Sequence, residues 1–385
     1  MNKTIALVLI LVLFVSMNAF SQHDGFCSAN AGVSYIAPGY SKLPDYGANY
    51  NVKLNIGQRF TDARSWHKNY NFPYISATLF ASYNAHEAMG GLLALYPEVS
   101  FIIKEKKKFE MRLSGGLGLA LFSSIYHPEK NPYNKLIGSH LTAAATGELL
   151  FRYKFNTKLS GTLQAGMLHC SNGHIKLPNI GLNMPYVFVG THYWFNEEPK
   201  YQPKGKSSFE NAKSKALLRY GVGFHQFGES TKPYGGPVYT NHLITIALAH
   251  NYSPVSFLNF GVNFTYYESY YRFMLDQETH SFKTLFYESC MITFFGSHEF
   301  LFGRIGLYVE VGLDLYKPFY RKYALFYDNT LSFDETVKSF NSNKLGLQYH
   351  LFPHTGSPFD MILGVYIKSN YAQADFIECA VGFAF

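Results

Sequence analysis

His169 and Ser171 stand two positions apart in the stretch His169-Cys170-Ser171-Asn172-Gly173, which Lys176-Leu177-Pro178-Asn179 follows. In an extended strand, residues i and i+2 share a face, so the imidazole and the hydroxyl can meet. A serine near a histidine can become an activated nucleophile, although the bare spacing is common and equally suits a hydrogen-bonded pair in the polar rim of a barrel. The run that leads into the pair alternates. Leu159, Gly161, Leu163, Ala165 and Met167 share its face, while Ser160, Thr162, Gln164 and Gly166 share the other. The face that carries the pair is therefore the apolar one, and Cys170 falls on the opposite side as a small apolar filler.

The chain that must position this pair has an unusual composition for a soluble domain. It holds 31 Tyr, 35 Phe and 32 Gly in 385 residues, with 15% charged residues where about 25% is typical. Abundant aromatics and glycine with few charges fit a transmembrane β-barrel. No segment after the N-terminal apolar run reaches the roughly 20 apolar residues of a spanning helix. Strands in lipid must close on themselves, because an open edge leaves backbone groups unpaired.

The N-terminus reads as an export signal: Lys3, an apolar run from Ile5 to Val15, then small residues before a cleavage point after Ser21. Cys27 lacks the small-residue context of a lipid anchor. The formal charge of +7 is spread along turns such as Lys104 to Lys108. An exported chain has little reason to meet nucleic acid, so these cations face an anionic lipid surface or simply solvate strand ends. The four cysteines, Cys27, Cys170, Cys290 and Cys379, form no disulfide framework and have no metal-ligand spacing. Neither a metal nor a cofactor is expected.

Period-2 segments separated by turn signals give about eight strands in the first half. Their cores are Ala31 to Tyr40, Tyr50 to Phe60, Tyr74 to Asn84, Gly90 to Ile103, Phe109 to Ser123, Ser139 to Phe155, Leu159 to Ser171 and Asn183 to Phe195. About eight more follow a polar stretch: Leu217 to Phe227, Leu243 to Asn251, Phe257 to Tyr267, Leu285 to Phe294, Gly306 to Leu315, Lys344 to Leu351, Met361 to Ser369 and Asp375 to Phe385. The resulting division is a signal over 1–21, a barrel half over 22–196, a linker over 197–215 and a second half over 216–385. The fold class is an all-β, transmembrane, antiparallel β-barrel. Two tandem eight-stranded barrels and one barrel of about sixteen strands both fit the pattern, and the long linker favours two.

The last segment places Ile377, Cys379, Val381, Phe383 and Phe385 on one face and Glu378, Ala380, Gly382 and Ala384 on the other. Its terminal aromatic resembles the insertion signal of bacterial outer-membrane barrels, which makes the outer membrane the expected location. With a periplasmic N-terminus, the seventh strand runs upward and ends at the outer leaflet. A lipid-facing catalytic pair at that level would act on a lipid and not on a solute in the lumen.

The motif and its setting resemble the outer-membrane lipid A 3-O-deacylases of the PagL type, eight-stranded barrels with the active site on the outer wall. The family pattern is similar to His169-x-Ser171-Asn172 followed by Pro178-Asn179-x-Gly181, and the resemblance covers about Ala31 to Phe195. It implies that Ser171 attacks an acyl ester of lipid A, with His169 as the general base. It also implies that Asn172 and Asn179 shape the loop or donate to the oxyanion. For Asn172 an ordinary turn role competes. His174 and Lys176 would lie near lipid A phosphates, or act as solvated loop charges. One position departs from the pattern. Twelve residues after the serine, where the family has a glutamate that orients the histidine, this chain has Asn183. Asn183 as a neutral third member, no third member, and another acid such as Glu87 all remain open.

The second half resembles a degenerate copy. Its Ile367-Lys368-Ser369-Asn370 matches the motif, with Ile367 where His169 stands, so this half lacks a base. The expected function is an outer-membrane serine esterase, a carboxylic ester hydrolase that removes an acyl chain from lipid A and so remodels lipopolysaccharide. The competing reading is a pore, transport or structural barrel without catalysis, which lumen-facing charges across both halves would support, but the visible inward ones, Glu148, Arg152 and Glu378, are few. A lapsed lipid-binding barrel is a third possibility, motivated by Asn183.

Overall fold

The computed structural model describes residues 25–37, 45–61, 65–84, 86–199, 213–228, 230–231, 236–276, 282–327, 333–352, 359–371 and 373–385. The expected export signal and most of the expected 197–215 linker lie outside them. Two compact units are present. One holds the chain up to Asn172 and again from Pro178, and the other holds Gly173–Leu177 and the strands from Lys213 onward.

The first unit is a closed antiparallel barrel of eight strands in sequence order. They are β1 (Gly25–Tyr35), β2 (Ala48–Arg59), β3 (Tyr74–Asn84), β4 (Gly91–Glu105), β5 (Phe109–Phe122), β6 (Leu141–Lys154), β7 (Leu159–Ser171) and β8 (Leu182–Trp194), with a short helix α1 (Ser65–Asn69) between β2 and β3. β1 closes the sheet on β8, from Phe26 opposite Trp194 to Ser34 opposite Tyr186.

The second unit is another closed barrel of eight strands. Its strands are β9 (Lys213–Gln226), β10 (Val238–Ser253), β11 (Ser256–Tyr267), β12 (Cys290–Phe302), β13 (Ile305–Tyr316), β14 (Asn341–His350), β15 (Asp360–Asn370) and β16 (Gln373–Ala384). β16 returns to β9, from Ile377 opposite Phe224 to Ala384 opposite Leu217. The single sixteen-stranded barrel is thereby excluded, because β1 and β9 each find their closing partner within their own half.

Most expected strands hold their places within a few residues. Two corrections stand out. β1 starts at Gly25, earlier than the expected Ala31, and Pro38 to Tyr40 fall outside the described residues. The expected strand from Leu285 to Phe294 is half wrong, since Phe282–Glu288 is a helix and the strand starts at Cys290. A short apolar run does not distinguish strand from helix by periodicity. Helices α2 (Glu268–Asp276) and α3 (Phe282–Glu288) fill the connection between β11 and β12, while α4 (Pro318–Tyr327) and α5 (Phe333–Phe340) fill the one between β13 and β14.

Outward positions carry Val33, Tyr50, Leu119, Leu163, Val189, Ile246, Val311 and Val365, all well exposed. The inner positions are polar to a degree that alternation alone does not show. In the first barrel, Lys53 is fully buried between Glu98 and Glu148, each at 2.7 Å, and the Tyr186 hydroxyl donates to Glu148 at 2.9 Å. Nearer the other mouth, Arg112 and Arg152 both pair with Glu110, and Arg112 lies over the Tyr74 ring. Glu198, read from sequence as linker, pairs with Arg152 and Lys154 and so belongs to this barrel's rim. In the second barrel, Arg219 sits between the Tyr308 and Tyr366 rings, and Lys344 pairs with Glu378 at 2.8 Å. His350 bridges Glu299 and Asp360, each at 2.6 Å.

Far more charges face the lumens than Glu148, Arg152 and Glu378, yet their number does not make a pore. An eight-stranded barrel leaves an interior that side chains fill, and here they fill it as mutually paired ions and aromatic rings such as Phe80, Tyr96 and Phe188. Lys53→Met should leave two buried carboxylates without their cation and cost about 3–5 kcal/mol. Urea unfolding in lipid vesicles checks this, and a stability equal to wild type would refute the account of the lumen.

Candidate active site

The apolar face of β7 points outward, as Leu163 and Met167 show by their exposure, and Cys170 lies fully buried inside. His169 sits on the outward face opposite Ala145 of β6 on one side and Asn183 of β8 on the other. Small neighbours on β6, Ala145 and then Ala143 opposite Ser171, leave the ring room beside the strand.

Cross-strand pairing brings His169 Nδ1 to 2.8 Å from Asn183 Oδ1. A carbonyl oxygen only accepts, so the hydrogen sits on Nδ1, and the neutral ring keeps an unprotonated Nε2. This is the tautomer a general base needs. Glu87, the other acid considered, is exposed in the turn after β3, and the described hydrogen bond of His169 is to Asn183.

Ser171 is the last residue of β7 and is only 3% exposed, although its strand position faces outward. The loop that follows folds back over it. Asn179 Nδ2 donates to Ser171 Oγ at 2.9 Å, and Asn179 Oδ1 accepts from the backbone N–H of Asn172 at 3.2 Å. Asn172 turns its own amide to Ser139 Oγ at 3.1 Å, and that hydroxyl donates to the Leu141 carbonyl at 2.9 Å. The two asparagines are thus oriented by opposite ends of one chain of hydrogen bonds, and Asn172 does more than make a turn. The Asn179 amide nitrogen carries two hydrogens, one of which it donates to Ser171 Oγ.

Two positioning elements escape a reading of the motif. Gly181, at φ +86°, lies against the His169 ring, where a Cβ would come to 3.1 Å from Cε1. Its N–H donates to the Leu136 carbonyl at 3.1 Å, and the Ile180 N–H to Lys135 at 3.3 Å. The loop between β5 and β6 therefore holds the loop between β7 and β8, anchored by the fully buried Leu136 and Ile137. Ser139, expected at the start of a strand, precedes β6 and belongs to that holding loop. No motif spacing links Ser139 to Asn172, whereas Gly181 is itself part of the Pro178-Asn179-x-Gly181 pattern.

The phosphate-contact expectation for His174 does not hold. Gly173–Leu177 group with the second unit, and there His174 is buried, stacked on His225 with centroids 5.0 Å apart, with Nε2 at 3.1 Å from the Gly228 carbonyl. Burial and the neighbouring His225 push its imidazole down to about 4. It is neutral at pH 7 and offers an anion no charge. Lys176 is exposed.

In the second barrel the end of β15 repeats the backbone setting without the chemistry. Ile367 lies opposite Ile377 of β16, as His169 lies opposite Asn183, and the Ser369 hydroxyl donates to the Tyr371 carbonyl.

Two family models match the chain in order. Lipid A 3-O-deacylase (PagL) matches residues 45–192, and acyloxyacyl hydrolase, C-terminal domain, matches residues 215–385. Among solved structures, the chain is similar to the outer membrane enzyme PagL at 18% identity and TM-score 0.30, over 43% of this chain and 97% of that one. It is similar to Neisserial surface protein A at 12% identity and TM-score 0.31, over 44% of this chain and 96% of that one. A third likeness, to the outer membrane protein opdK from Pseudomonas aeruginosa, has 6% identity and TM-score 0.22, over 94% of this chain and 98% of that one. No curated protein matches the chain.

Two outcomes follow from the geometry. Gly181→Ala should cost about 1–2 kcal/mol in backbone strain alone, read as a lowered unfolding midpoint, and should displace the His169 ring. Because the folded-state pKa of His174 lies below its unfolded value, its contribution is present above pH 6.5 and is lost as pH falls toward 4. Amide exchange in Gly173–Leu177, corrected for intrinsic rates, should lose protection across that window. Constant protection would refute the assignment.

Proposed function

We propose that the chain is a lipid A 3-O-deacylase of the PagL type, a serine esterase of the bacterial outer membrane that cleaves the 3-linked acyl ester of lipid A. The observation that carries the reading is the contact between His169 Nδ1 and Asn183 Oδ1 at 2.8 Å, which holds the imidazole in its basic tautomer on the lipid-facing wall.

In this mechanism Ser171 Oγ attacks the acyl carbonyl, and His169 Nε2 takes the hydroxyl proton. The serine and histidine sit two residues apart on the outward face, and the hydrogen bond between such partners tightens as substrate binds. The oxyanion that forms is met by the amide of Asn179, whose nitrogen already stands 2.9 Å from Ser171 Oγ. Asn172, locked to Ser139 and to Asn179, holds that amide in place. Collapse expels the sugar hydroxyl, which takes the proton from His169, and water then releases the fatty acid by the same steps in reverse roles. Loss of one acyl chain remodels the lipopolysaccharide that carries it.

Asn183 sets the limit of this site. Its amide oxygen orients the imidazole as a carboxylate would, but a neutral group stabilises the imidazolium less than an anion does. The N-terminal half, 22–196, carries the whole reaction, and the half from 216 onward is catalytically silent because Ile367 stands where the base is needed.

Mass spectrometry of lipid A from cells expressing each form tests the proposal. Wild type should remove one 3-hydroxy acyl chain, while Ser171→Ala and His169→Ala should each lose at least about 10³-fold in rate. Asn183→Glu should raise kcat roughly tenfold or more, the gain of a charge-assisted hydrogen bond to the imidazolium. Identical acylation patterns from all four forms would end the enzyme reading, and conductance in planar bilayers would then revive the transport one.

A further inference from the structure

The membrane-facing surface of the second barrel does not stop where its strands stop. β11 ends with Tyr267 fully buried inside and Tyr266 on the outward face. Helix α3 lies against that outward face, with the Phe286 ring stacked on Tyr266 at 5.4 Å between centroids. The Tyr316 hydroxyl, outward at the end of β13, donates to the Tyr287 carbonyl at 3.1 Å. Ser289 and Cys290 close the helix against the start of β12 through the Leu285 and Phe286 carbonyls. The helix is therefore tied to three adjacent strands at the rim of the barrel, with Phe286 and Tyr287 toward the outward face and Leu285 toward the inner-facing Tyr267, Met291 and Phe376.

Its two sides differ. Leu285 is buried in an aromatic cluster with Tyr270, Met274 and Phe319, whereas Phe286 is 49% and Tyr287 63% exposed. Leu275 at the end of α2 is also exposed, as are Leu313 and Leu315 on β13. Cations flank the patch: Arg272 paired with Glu268, and Lys322 paired with Glu288, both with exposed side chains. Aromatic rings with a polar edge next to exposed cations suit the boundary between acyl chains and phosphate-bearing head groups. In a water-facing loop, the same rings would leave apolar area hydrated beside an already lipid-facing wall.

We propose that α3 is an interfacial helix that lays Phe286 and Tyr287 into the outer leaflet, so that this sector of the barrel grips lipid above its strands. The occupant of the patch is membrane lipid, as its continuity with the outward faces of β11 and β13 requires. The proposal rests on the barrel spanning a membrane and is independent of the esterase reading.

Tyr287→Trp in the full-length protein, reconstituted in phosphatidylcholine vesicles, tests it. The parent contains only Trp66 and Trp194, so the added emission is read by difference. Lipid brominated near the head-group end of its chains should reduce that emission strongly, and lipid brominated near the chain ends should reduce it less, with a blue-shifted maximum in both. Quenching by aqueous iodide but by neither bromolipid would overturn the proposal, and so would protection from all three, which would mean that protein covers the patch. Strongest quenching by the deep bromines would also overturn it by placing the helix in hydrocarbon. If Tyr287→Trp fails to show heat-modifiable migration, Phe286→Trp reads the same patch from the adjacent ring.

Discussion

A backbone N–H or C=O group in hydrocarbon has no water to turn to, so each strand must be paired on both sides. β1 meets this need on β8 and β9 meets it on β16, and everything else about the molecule follows from those two closures. A closed sheet cannot slip by one residue without turning every apolar side chain inward and every charge into lipid. The register is therefore strict, and with it the neighbour of each outward side chain. His169 lies opposite Asn183 for that reason.

Closure on eight strands also decides where chemistry can happen. The interior is too narrow for a solute and is occupied by ion pairs such as Lys53 with Glu98 and Glu148, and Arg219 among its aromatic rings. Each buried charge is acceptable only because its partner reaches it from another strand. What remains for a substrate is the outer wall and the rim. In the first barrel that wall ends in a serine and a histidine. In the second the same backbone position ends in Ile367 opposite Ile377, while helices and exposed rings enlarge the rim.

The candidate site is a compromise between holding and reacting. Asn179 binds Ser171 with its nitrogen and Asn172 with its oxygen, and the loop between β5 and β6 clasps the following residues through Lys135 and Leu136. In the proposed reaction, such preorganisation lowers the reorganisation needed at the transition state. In that proposed reaction, the neutral Asn183 orients the imidazole but gives up part of a carboxylate's electrostatics.

Local pattern was enough to read the strands. Tyr74 to Asn84 and Leu159 to Ser171 coincide with β3 and β7 at both ends, and the alternation of β7 and β16 set their inner and outer faces, because side-chain parity is a property of the extended chain itself. That His169 and Ser171 share the outward face was legible for the same reason, whereas Asn183 was singled out only by the resemblance to the PagL pattern. Helix α3 was not, since seven apolar-rich residues suit either conformation until neighbours choose. Nor were the lumen charges on Lys53, Glu98 and Arg112 visible as interior groups, because a buried ion is recognisable only with its counter-ion, which comes from a distant strand. Ser139 reaches Asn172 across a gap that no motif spans. By itself the sequence determined a barrel-forming chain with His169 and Ser171 on one face of one strand. Only the tertiary structure decided that there are two barrels, that Asn183 touches the imidazole, and that Ser171 is covered, since each depends on hydrogen bonds between residues that the chain brings together only when it closes.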